Sequence, residues 1–283
     1  MSRPIRIQYP GALYHIMSRG NERKDIFKDK KDYQNFIEIF SDVIDQYNWQ
    51  CYAYCLMPNH YHLLIKTIDP NLSMGMRQLN GRYTQKFNIK NKRFGHLFQG
   101  RYKSILVEED IYRHQLIRYI TFNPIRAKLV NNLKDWQWNS YLEVMGMKKL
   151  TGCVSAKYVL NLFNQNNDQS IENYHKYIYA NEENEASIKE IKGGIILGSI
   201  KFIEEIKNHL KVQNKDIELP VRERMAYRPL LSDLFKDVTN KQERNTLMCK
   251  AHKEYNYSLS EIAKITNLHY TTISRVINRV YNE

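Results

Sequence analysis

Two histidines separated by one residue, His60 and His62, form the first pattern with chemical meaning. They open the segment HYHLLIKTI, whose apolar and β-branched residues predict a strand over residues 60–68. Side chains alternate along a strand, so both imidazoles are expected on one face, where they can bind one divalent metal ion. The alternative is a purely structural pair. Zinc hydrolysis of the carbonic anhydrase type would need further ligands, and the neighbouring sequence supplies few.

A second pattern, RYITFNP, ends a predicted helix and contains Tyr119 and Asn123. Residues four apart share a helical face, so these two side chains are expected on the same side. A tyrosine is a possible nucleophile when a metal, a base or local positive charge activates its phenol, whose ordinary pKa is about 10. Packing is the alternative role, since the chain contains 21 tyrosines.

The elements that must position these residues follow from the hydrophobic periodicity. Their order, β-α-β-β-α-β-α, predicts an α+β fold with an antiparallel sheet and helices on one face, in a ferredoxin-like arrangement. The predicted elements besides residues 60–68 are strands at 12–17 and 49–57, a strand or hairpin at 95–107, and helices at 29–47, 71–88 and 108–122.

Charge is concentrated in the N-terminal half of the 283-residue chain. The net charge is +13 overall, +11 within residues 1–150 and +2 within residues 151–283. Between Asp69 and Glu108 there are eight basic residues and no acidic one, with five aromatic residues interleaved. Cations neutralise phosphates and aromatic faces stack on unpaired bases, so the stretch predicts nucleic-acid binding, with a solvated basic face as the alternative. The aromatic residues are Tyr83, Phe87, Phe94, Phe98 and Tyr102.

The compartment is predicted from what the sequence lacks. The first ten residues have no apolar segment typical of a secretory signal, and no apolar run is long enough for a membrane span. Four cysteines without paired zinc spacing fit a reducing environment. We therefore expect a cytoplasmic, nucleoid-associated protein with no membrane partner. Cys51 and Cys55 are expected to face the same way on their strand, in a packing role.

The C-terminal part predicts a different kind of domain. We expect a domain at 1–150, a connector at 151–187 with one helical piece, and an all-helical domain at 188–283. In the last of these, Ser258 and Glu261 form a capping box before two helices with helix-turn-helix spacing. This region resembles the DNA-binding end of the bacterial replication initiator DnaA. The alternative is an ordinary helical hairpin. Candidate duplex-reading residues are Tyr270, Thr271, Thr272, Ser274 and Arg275.

Four motifs in order give the N-terminal part a family resemblance. They are YHIMSRGN from Tyr14, AYCLMPNHYHLL from Ala53, GHLFQGRYK from Gly95 and RYI…NPIRA from Arg118. Together they resemble the single-tyrosine HUH transposases, in particular the REP-associated tyrosine transposases. The resemblance implies that His60 and His62 are metal ligands, that Asn123 is a third ligand and that Tyr119 is the nucleophile. The long C-terminal extension is not part of the minimal family.

The same resemblance implies a reaction and its partners. Single-stranded DNA, in particular at hairpin-forming sites, would be cleaved and rejoined through a 5′-phosphotyrosine with Mg²⁺ or Mn²⁺, by a monomer or a homodimer. No phosphate-binding GxxxxGK[ST] loop is present, consistent with a reaction that needs no ATP. The alternatives are a domesticated, non-catalytic DNA-binding regulator and an RNA-binding protein. Candidate DNA contacts in the basic stretch are Arg77, Arg82, Arg101 and Lys103.

Overall fold

The computed structural model describes residues 7–164, 167–180, 196–213, 229–253, 255 and 257–279. The chain divides into two compact units, one comprising Gln8–Glu190 and the other Met1–Ile7 with Ile191–Glu283. Within the described ranges, no helix has the length and apolar character needed to cross a membrane. The elements of the first unit are β1 Ala12–Arg19, α1 Lys30–Tyr47, β2 Trp49–Met57, β3 His60–Thr67, α2 Leu72–Lys90, β4 Lys103–Val107, α3 Glu109–Thr121, α4 Asn123–Arg126, α5 Tyr141–Val144, α6 Ala156–Asn161 and α7 Asn167–Tyr179.

The strands of the first unit form an antiparallel sheet in the order β2-β3-β1-β4. The predicted fold class and the order of the elements are confirmed. The β2–β3 hairpin ends as predicted at Met57 and begins again at His60. The strand or hairpin predicted at 95–107 is too long, because β4 begins only at Lys103. Residues 91–102 form a loop instead, in which Gly95 adopts a positive φ of 86° that an extended strand does not allow.

The two faces of the sheet carry different partners. Helices α1 and α2 cover one face, where the ring of Tyr61 lies 4.9 Å from that of Phe36 and its hydroxyl donates to Asn80. Helix α3 covers the opposite face, where Lys66 of β3 pairs with Glu109 at 2.7 Å. The expectation of helices on a single face therefore holds for α1 and α2 but not for α3. The histidines of β3 lie on the face that α3 covers, since alternation places His62 with Lys66.

A β-bulge in β2 changes the orientation of its two cysteines. Cys51 pairs with Ile65, but Cys55 pairs with His62, and the register shifts between Cys51 and Ala53. The extra residue reverses the alternation, so the two cysteines face opposite sides of the sheet. The expectation that they face the same way is wrong for this reason. Both thiols are buried, and burial raises the pKa of each.

Helices α6 and α7, in the range predicted as a connector, pack within the first unit. Helix α6 contacts β2, and α7 contacts α3. The guanidinium of Arg118 on α3 donates to the carbonyl oxygen of Ile178 at 3.1 Å. Tyr174 of α7 is fully buried and stacks on Tyr141 of α5. The helical piece expected in this range is thus a packed part of the unit that carries the histidines.

The second unit is helical apart from one two-residue strand in its described part. Ser258 and Glu261 form the predicted capping box at the start of α11. Asn267 ends that helix in the left-handed conformation, and three residues join it to α12. Ile262 and Ile273 are fully buried in the core of this unit. The elements are β5 Ile196–Leu197, α8 Ile200–Gln213, α9 Leu231–Leu234, α10 Lys241–Lys253, α11 Leu259–Thr266 and α12 Tyr270–Arg279.

Two glycines of α2 give a matched test of the packing between this helix and the sheet. A Cβ at Gly75 would overlap the indole of Trp49, whereas a Cβ at Gly81 would meet nothing within 4 Å. We expect Gly75→Ala to lower the free energy of unfolding by about 1–3 kcal/mol through overpacking. Gly81→Ala should raise it by up to about 1 kcal/mol through helix propensity. Urea denaturation of both variants checks this, and equal effects would show that α2 does not pack on Trp49 as described.

Candidate active site

The histidine pair of β3 lies at the centre of the candidate site. The rings of His60 and His62 have centroids 5.1 Å apart, as expected for alternate residues of one strand. His62 is buried and His60 is partly buried. Burial lowers the pKa of His60 to about 4, and the nearby charge of Arg19 adds to the effect. Burial also places the pKa of His62 well below its ordinary value. Both imidazoles are therefore neutral at pH 7, the form that binds a metal.

In both histidines, Nδ1 is the nitrogen that contacts the protein. His60 Nδ1 lies 2.6 Å from Asn59 Oδ1, and His62 Nδ1 lies 3.0 Å from His15 Nε2. An imidazole that donates through Nδ1 keeps the lone pair on Nε2, and protein metal sites commonly fix the ligand tautomer in this way. The two Nε2 atoms thus fit the role of metal ligands.

His15 of β1 is a functional candidate that reasoning from the sequence missed. It is buried, its ring stacks on that of His62 with centroids 5.2 Å apart, and burial lowers its pKa to about 3. Within the described residues its Nδ1 is buried and has no hydrogen-bond partner. His15 belongs to the YHIMSRGN motif, but only the pairing of β1 with β3 shows that it lies against His62. The contact between His15 Nε2 and His62 Nδ1 requires a hydrogen on one of these two nitrogens, so the tautomers of the two rings are coupled.

Tyr119 reaches the same face of the sheet from α3. Its ring lies 5.9 Å from that of His15 and 6.1 Å from that of His62, edge to face in both cases. The side chain is partly buried. Strand β3 and helix α3, which are far apart in the sequence, therefore bring the predicted nucleophile and the histidine pair together. This is the arrangement that covalent catalysis by a tyrosine beside a metal site requires.

Arg126 holds Tyr119 from the end of α4. Its guanidinium lies over the phenol ring, 3.9 Å from the ring centroid, and also donates to the carbonyl oxygen of Tyr119. The same positive charge contributes to the lowered pKa values of His15 and His62, which places it close to both imidazoles. Arg126 is the second residue missed from the sequence, although it belongs to the quoted NPIRA motif. A planar guanidinium here both fixes the ring and provides positive charge for a phosphate.

Asn123 begins α4, and only Phe122 separates it from the end of α3. Its side chain is partly buried, and its Nδ2 atom is buried without a hydrogen-bond partner among the described residues. An unpaired buried amide is costly unless a ligand satisfies it, and amide nitrogen and oxygen are easily exchanged by a flip. Two imidazole nitrogens and one amide oxygen are ligand types that a divalent cation accepts. No group of three His, Cys, Asp or Glu residues suited to a metal occurs in the part of the chain described here.

The basic stretch between Asp69 and Glu108 is only partly available for a ligand. Helix α2 uses three of its cations to bind α1: Arg82 pairs with Asp42 at 2.7 Å, and Lys86 and Lys90 also pair with α1 or its cap. Of the other candidates, Arg77, Arg101 and Lys103 are exposed. Four of the five aromatic residues expected to stack on bases are buried, so that expectation is wrong for them. They are Tyr83, Phe87, Phe98 and Tyr102.

The candidate duplex-reading residues lie on α12 of the second unit. Tyr270, Thr271, Thr272 and Arg275 are exposed, and Ser274 is partly buried. The Thr271 hydroxyl lies 2.8 Å from His269 Nδ1, so that side chain is already engaged locally. Ile273 and Ile277 point into the core, which leaves the polar positions on the outer face as the spacing predicts.

The first unit is similar in sequence to a known family of transposases. Residues 8–123 match the model of the family described as IS200-like transposases. This range spans β1 to β4 and reaches Asn123 at the start of α4. The resemblance to single-tyrosine, DNA-binding transposases that the motifs indicate is confirmed over these residues.

Individual relatives are REP-associated transposases and similar proteins. A protein of Haemophilus influenzae named as a REP-associated tyrosine transposase is 25% identical over 122 residues, which cover 39% of this chain and 69% of the relative. A solved REP-associated tyrosine transposase bound to a REP hairpin matches with 19% identity and a TM-score of 0.45, covering 53% of this chain and 89% of its own. A structure described as a transposase from Deinococcus radiodurans gives 21% identity, a TM-score of 0.30 and coverages of 42% and 95%.

Proposed function

We propose that the protein is a DNA strand transferase that cleaves and rejoins single-stranded DNA with Tyr119 as its nucleophile. The observation that carries this proposal is the contact of the Tyr119 ring with His62, His15 and Arg126 in one half-buried cluster. The family match over residues 8–123 supports the same class of reaction. A protein that only bound DNA would have no need for a tyrosine beside two neutral, inward-facing histidines.

The reaction follows from the roles of these side chains. The phenol oxygen of Tyr119 attacks the scissile phosphorus, a P–O bond to tyrosine forms, and the bond from phosphorus to the 3′ oxygen breaks. The phenol loses its proton and the departing 3′ oxygen gains one, which leaves a 5′-phosphotyrosine and a free 3′-OH. Attack by a second 3′-OH reverses the step and joins strands without ATP. Arg126 fixes the ring for attack and contributes positive charge beside the phosphate.

His60, His62 and Asn123 would hold the divalent metal, Mg²⁺ or Mn²⁺. When bound, the ion supplies Lewis-acid polarisation of the scissile phosphate. His15 and Asn59 orient the two imidazoles through their Nδ1 atoms, so that each Nε2 is available. Asn123 would contribute its amide oxygen, and the buried Nδ2 of the same amide has no hydrogen-bond partner among the described residues.

The substrate is single-stranded or hairpin-forming DNA, and the exposed cations Arg77, Arg101 and Lys103 are its proposed phosphate contacts. Arg82 is a weaker candidate, since Asp42 already pairs with it. A domesticated, non-catalytic regulator is the alternative function, favoured by the helical second unit. The two differ in one observation: only the transferase forms a covalent adduct with DNA.

Replacing the nucleophile separates chemistry from binding. We expect Tyr119→Phe to abolish the covalent adduct with a labelled hairpin in the presence of Mn²⁺, lowering cleavage by at least about a thousandfold. Phe keeps the ring against His15 and under Arg126, so hairpin affinity and thermal stability should not change. The measurement is a denaturing gel beside a binding titration.

Tyr112→Phe, on the same helix, is the matched control and should cleave normally. Cleavage that persists in the Tyr119 variant and is lost in the Tyr112 variant would move the nucleophile to Tyr112. An adduct in neither the wild type nor the control would favour the non-catalytic regulator.

Removing either imidazole of the pair should lower metal affinity and cleavage together. We expect His60→Ala or His62→Ala to weaken Mn²⁺ binding by more than about tenfold, since even changes to groups around metal ligands cost that much. Calorimetric titration with Mn²⁺ measures this without DNA. His96→Ala, an exposed histidine of the 91–102 loop, is the control and should bind as the wild type does. Unchanged Mn²⁺ affinity in both variants would contradict the assignment.

We propose that the second unit binds duplex DNA through the exposed face of α12. The support is its helix-turn-helix arrangement, in which a three-residue turn joins α11 to α12 and leaves Tyr270, Thr272 and Arg275 exposed. Residues 191–283, which belong to this unit, carry a net charge of +5, and we therefore expect a modest, salt-sensitive affinity.

An alanine substitution on α12 tests this. We expect Arg275→Ala to weaken duplex binding and to reduce the slope of log affinity against log salt by about one, as loss of one phosphate contact does. Hairpin cleavage should be unaffected. Lys264→Ala, an exposed lysine of α11, is the control. An equal loss in both variants, or none in either, would mean that α12 does not enter the duplex.

A further inference from the structure

The loop at residues 91–102, between α2 and β4, exposes a large aromatic side chain. Phe94 is 95% exposed, the highest value among the large hydrophobic side chains of the described residues. The other four aromatic residues of the basic stretch are buried. Phe94 is thus the one of these five aromatic residues whose face a base can reach. A single exposed apolar side chain is not by itself an interaction site, so the residues around it must indicate a partner.

The loop that carries Phe94 is fixed by hydrogen bonds. The backbone N–H of Arg93 donates to the carbonyl of Asn88 at 3.0 Å, and the Asn88 side chain donates to the carbonyl of Gly95 at 3.0 Å. The Arg93 guanidinium donates to the carbonyl of His96 at 3.2 Å. These bonds hold the backbone on both sides of Phe94. The ring is therefore presented on an ordered turn, which reduces the entropy lost when a ligand stacks on it.

The same loop is attached to the sheet beside the histidine pair. The backbone N–H of Asn21 donates to the carbonyl of Leu97 at 2.8 Å, and that of Gln99 donates to the carbonyl of Arg19 at 2.9 Å. Arg19 lies opposite His60 in the β1–β3 register. Phe94 precedes Leu97 by only three positions, so the chain keeps their Cα atoms within about 10 Å of each other. Phe94 is thus tethered to the end of the sheet that carries His60.

The charge along the chain on either side of Phe94 favours an anionic partner, although Glu22 lies close enough to Arg93 for their charges to interact. Lys92 and Arg93 precede it, Arg101 and Lys103 follow in the same loop and strand, and no acidic residue occurs between Asp69 and Glu108. Lys92, Arg101 and Lys103 are exposed and form no ion pair with another described residue. An aromatic face surrounded by cations is the combination that binds an unpaired nucleotide, through stacking on the base and attraction to the phosphates.

We propose that Phe94 stacks on one unpaired base of the DNA strand that passes the site formed by His60, His62 and Tyr119. Lys92 and Arg101 bind the phosphates on either side of that base. This inference rests on the proposed function, because it assigns a contact to the same single-stranded substrate. It makes the 91–102 loop a reader of the strand outside any base-paired stem. Stacking tolerates any base, so the contact fixes the position of the strand rather than its sequence.

The experiment uses the full-length chain with Tyr119→Phe, which binds without cleaving, as the parent protein. Its affinity is measured by fluorescence anisotropy for a hairpin with single-stranded extensions and for the same hairpin with blunt ends. We expect Phe94→Ala to weaken binding of the extended hairpin by about tenfold, within the range for loss of one base–aromatic stack, and to leave blunt-hairpin binding unchanged. Ile89→Ala, an 81% exposed apolar residue near the same loop, is the matched control and should have no effect.

A series of abasic substitutions along the extension locates the contact. When the base that stacks on Phe94 is removed, the parent protein and its Phe94→Ala variant should bind the hairpin with equal affinity. Removal of any other base should leave the parent protein with the higher affinity. Phe94→Trp should retain affinity, and its added fluorescence should be quenched by the extended hairpin.

Three results would overturn the proposal. Equal affinity of the Phe94→Ala and parent proteins for the extended hairpin would remove the contact while leaving the proposed function intact. Equal losses from Phe94→Ala and Ile89→Ala would show a general apolar effect, or a protein partner for this surface. If the parent protein bound the extended hairpin no more tightly than the blunt-ended one, the result would contradict the proposed function as well.

Discussion

The antiparallel pairing of β1 with β3 is the constraint on which the site depends. This register sets Met17 opposite His62 and leaves His15 two positions along β1, so the two imidazoles stack across the strands. A slip of one residue would turn His62 towards α1 and α2 and bury its polar ring in an aromatic core. Packing on both faces of the sheet therefore fixes the β1–β3 register, and this register fixes the positions of the site residues. Helix α3 packs on this face of the sheet through its buried apolar residues, and this packing brings Tyr119 to the histidines.

The local sequence patterns were sufficient to predict most of the fold and the placement of the histidine pair. Alternation placed both histidines on one face of β3, and the order of elements predicted the antiparallel sheet. The roles of His15 and Arg126 could not be predicted in the same way. His15 contacts a residue 47 positions away, and Arg126 reaches Tyr119 because a single residue separates α3 from α4. Such contacts depend on register and on chain reversal, which periodicity does not report.

Burial and a bulge explain two expectations that were wrong. Aromatic residues spaced among cations fit a base-stacking surface, but the same spacing of Tyr83 and Phe87 along α2 also faces a core. The sequence does not distinguish a base-stacking surface from a buried core, because both contain aromatic residues at this spacing. The expectation for Cys51 and Cys55 failed for a different reason, since one bulged residue reverses the alternation of a strand and leaves no mark in composition.

The ion pairs between α1 and α2 have a consequence for how a polyanion approaches the molecule. Arg82, Lys86 and Lys90 lie close to carboxylates of α1 or its cap, so their fields partly cancel a short distance from the surface. The remaining long-range field of the basic stretch comes from Arg77 near the start of α2 and from Lys92, Arg101 and Lys103 beyond its end. We therefore expect a polyanion to approach near Arg77 and the 91–102 loop rather than along the middle of α2, with an association rate that falls as ionic strength rises.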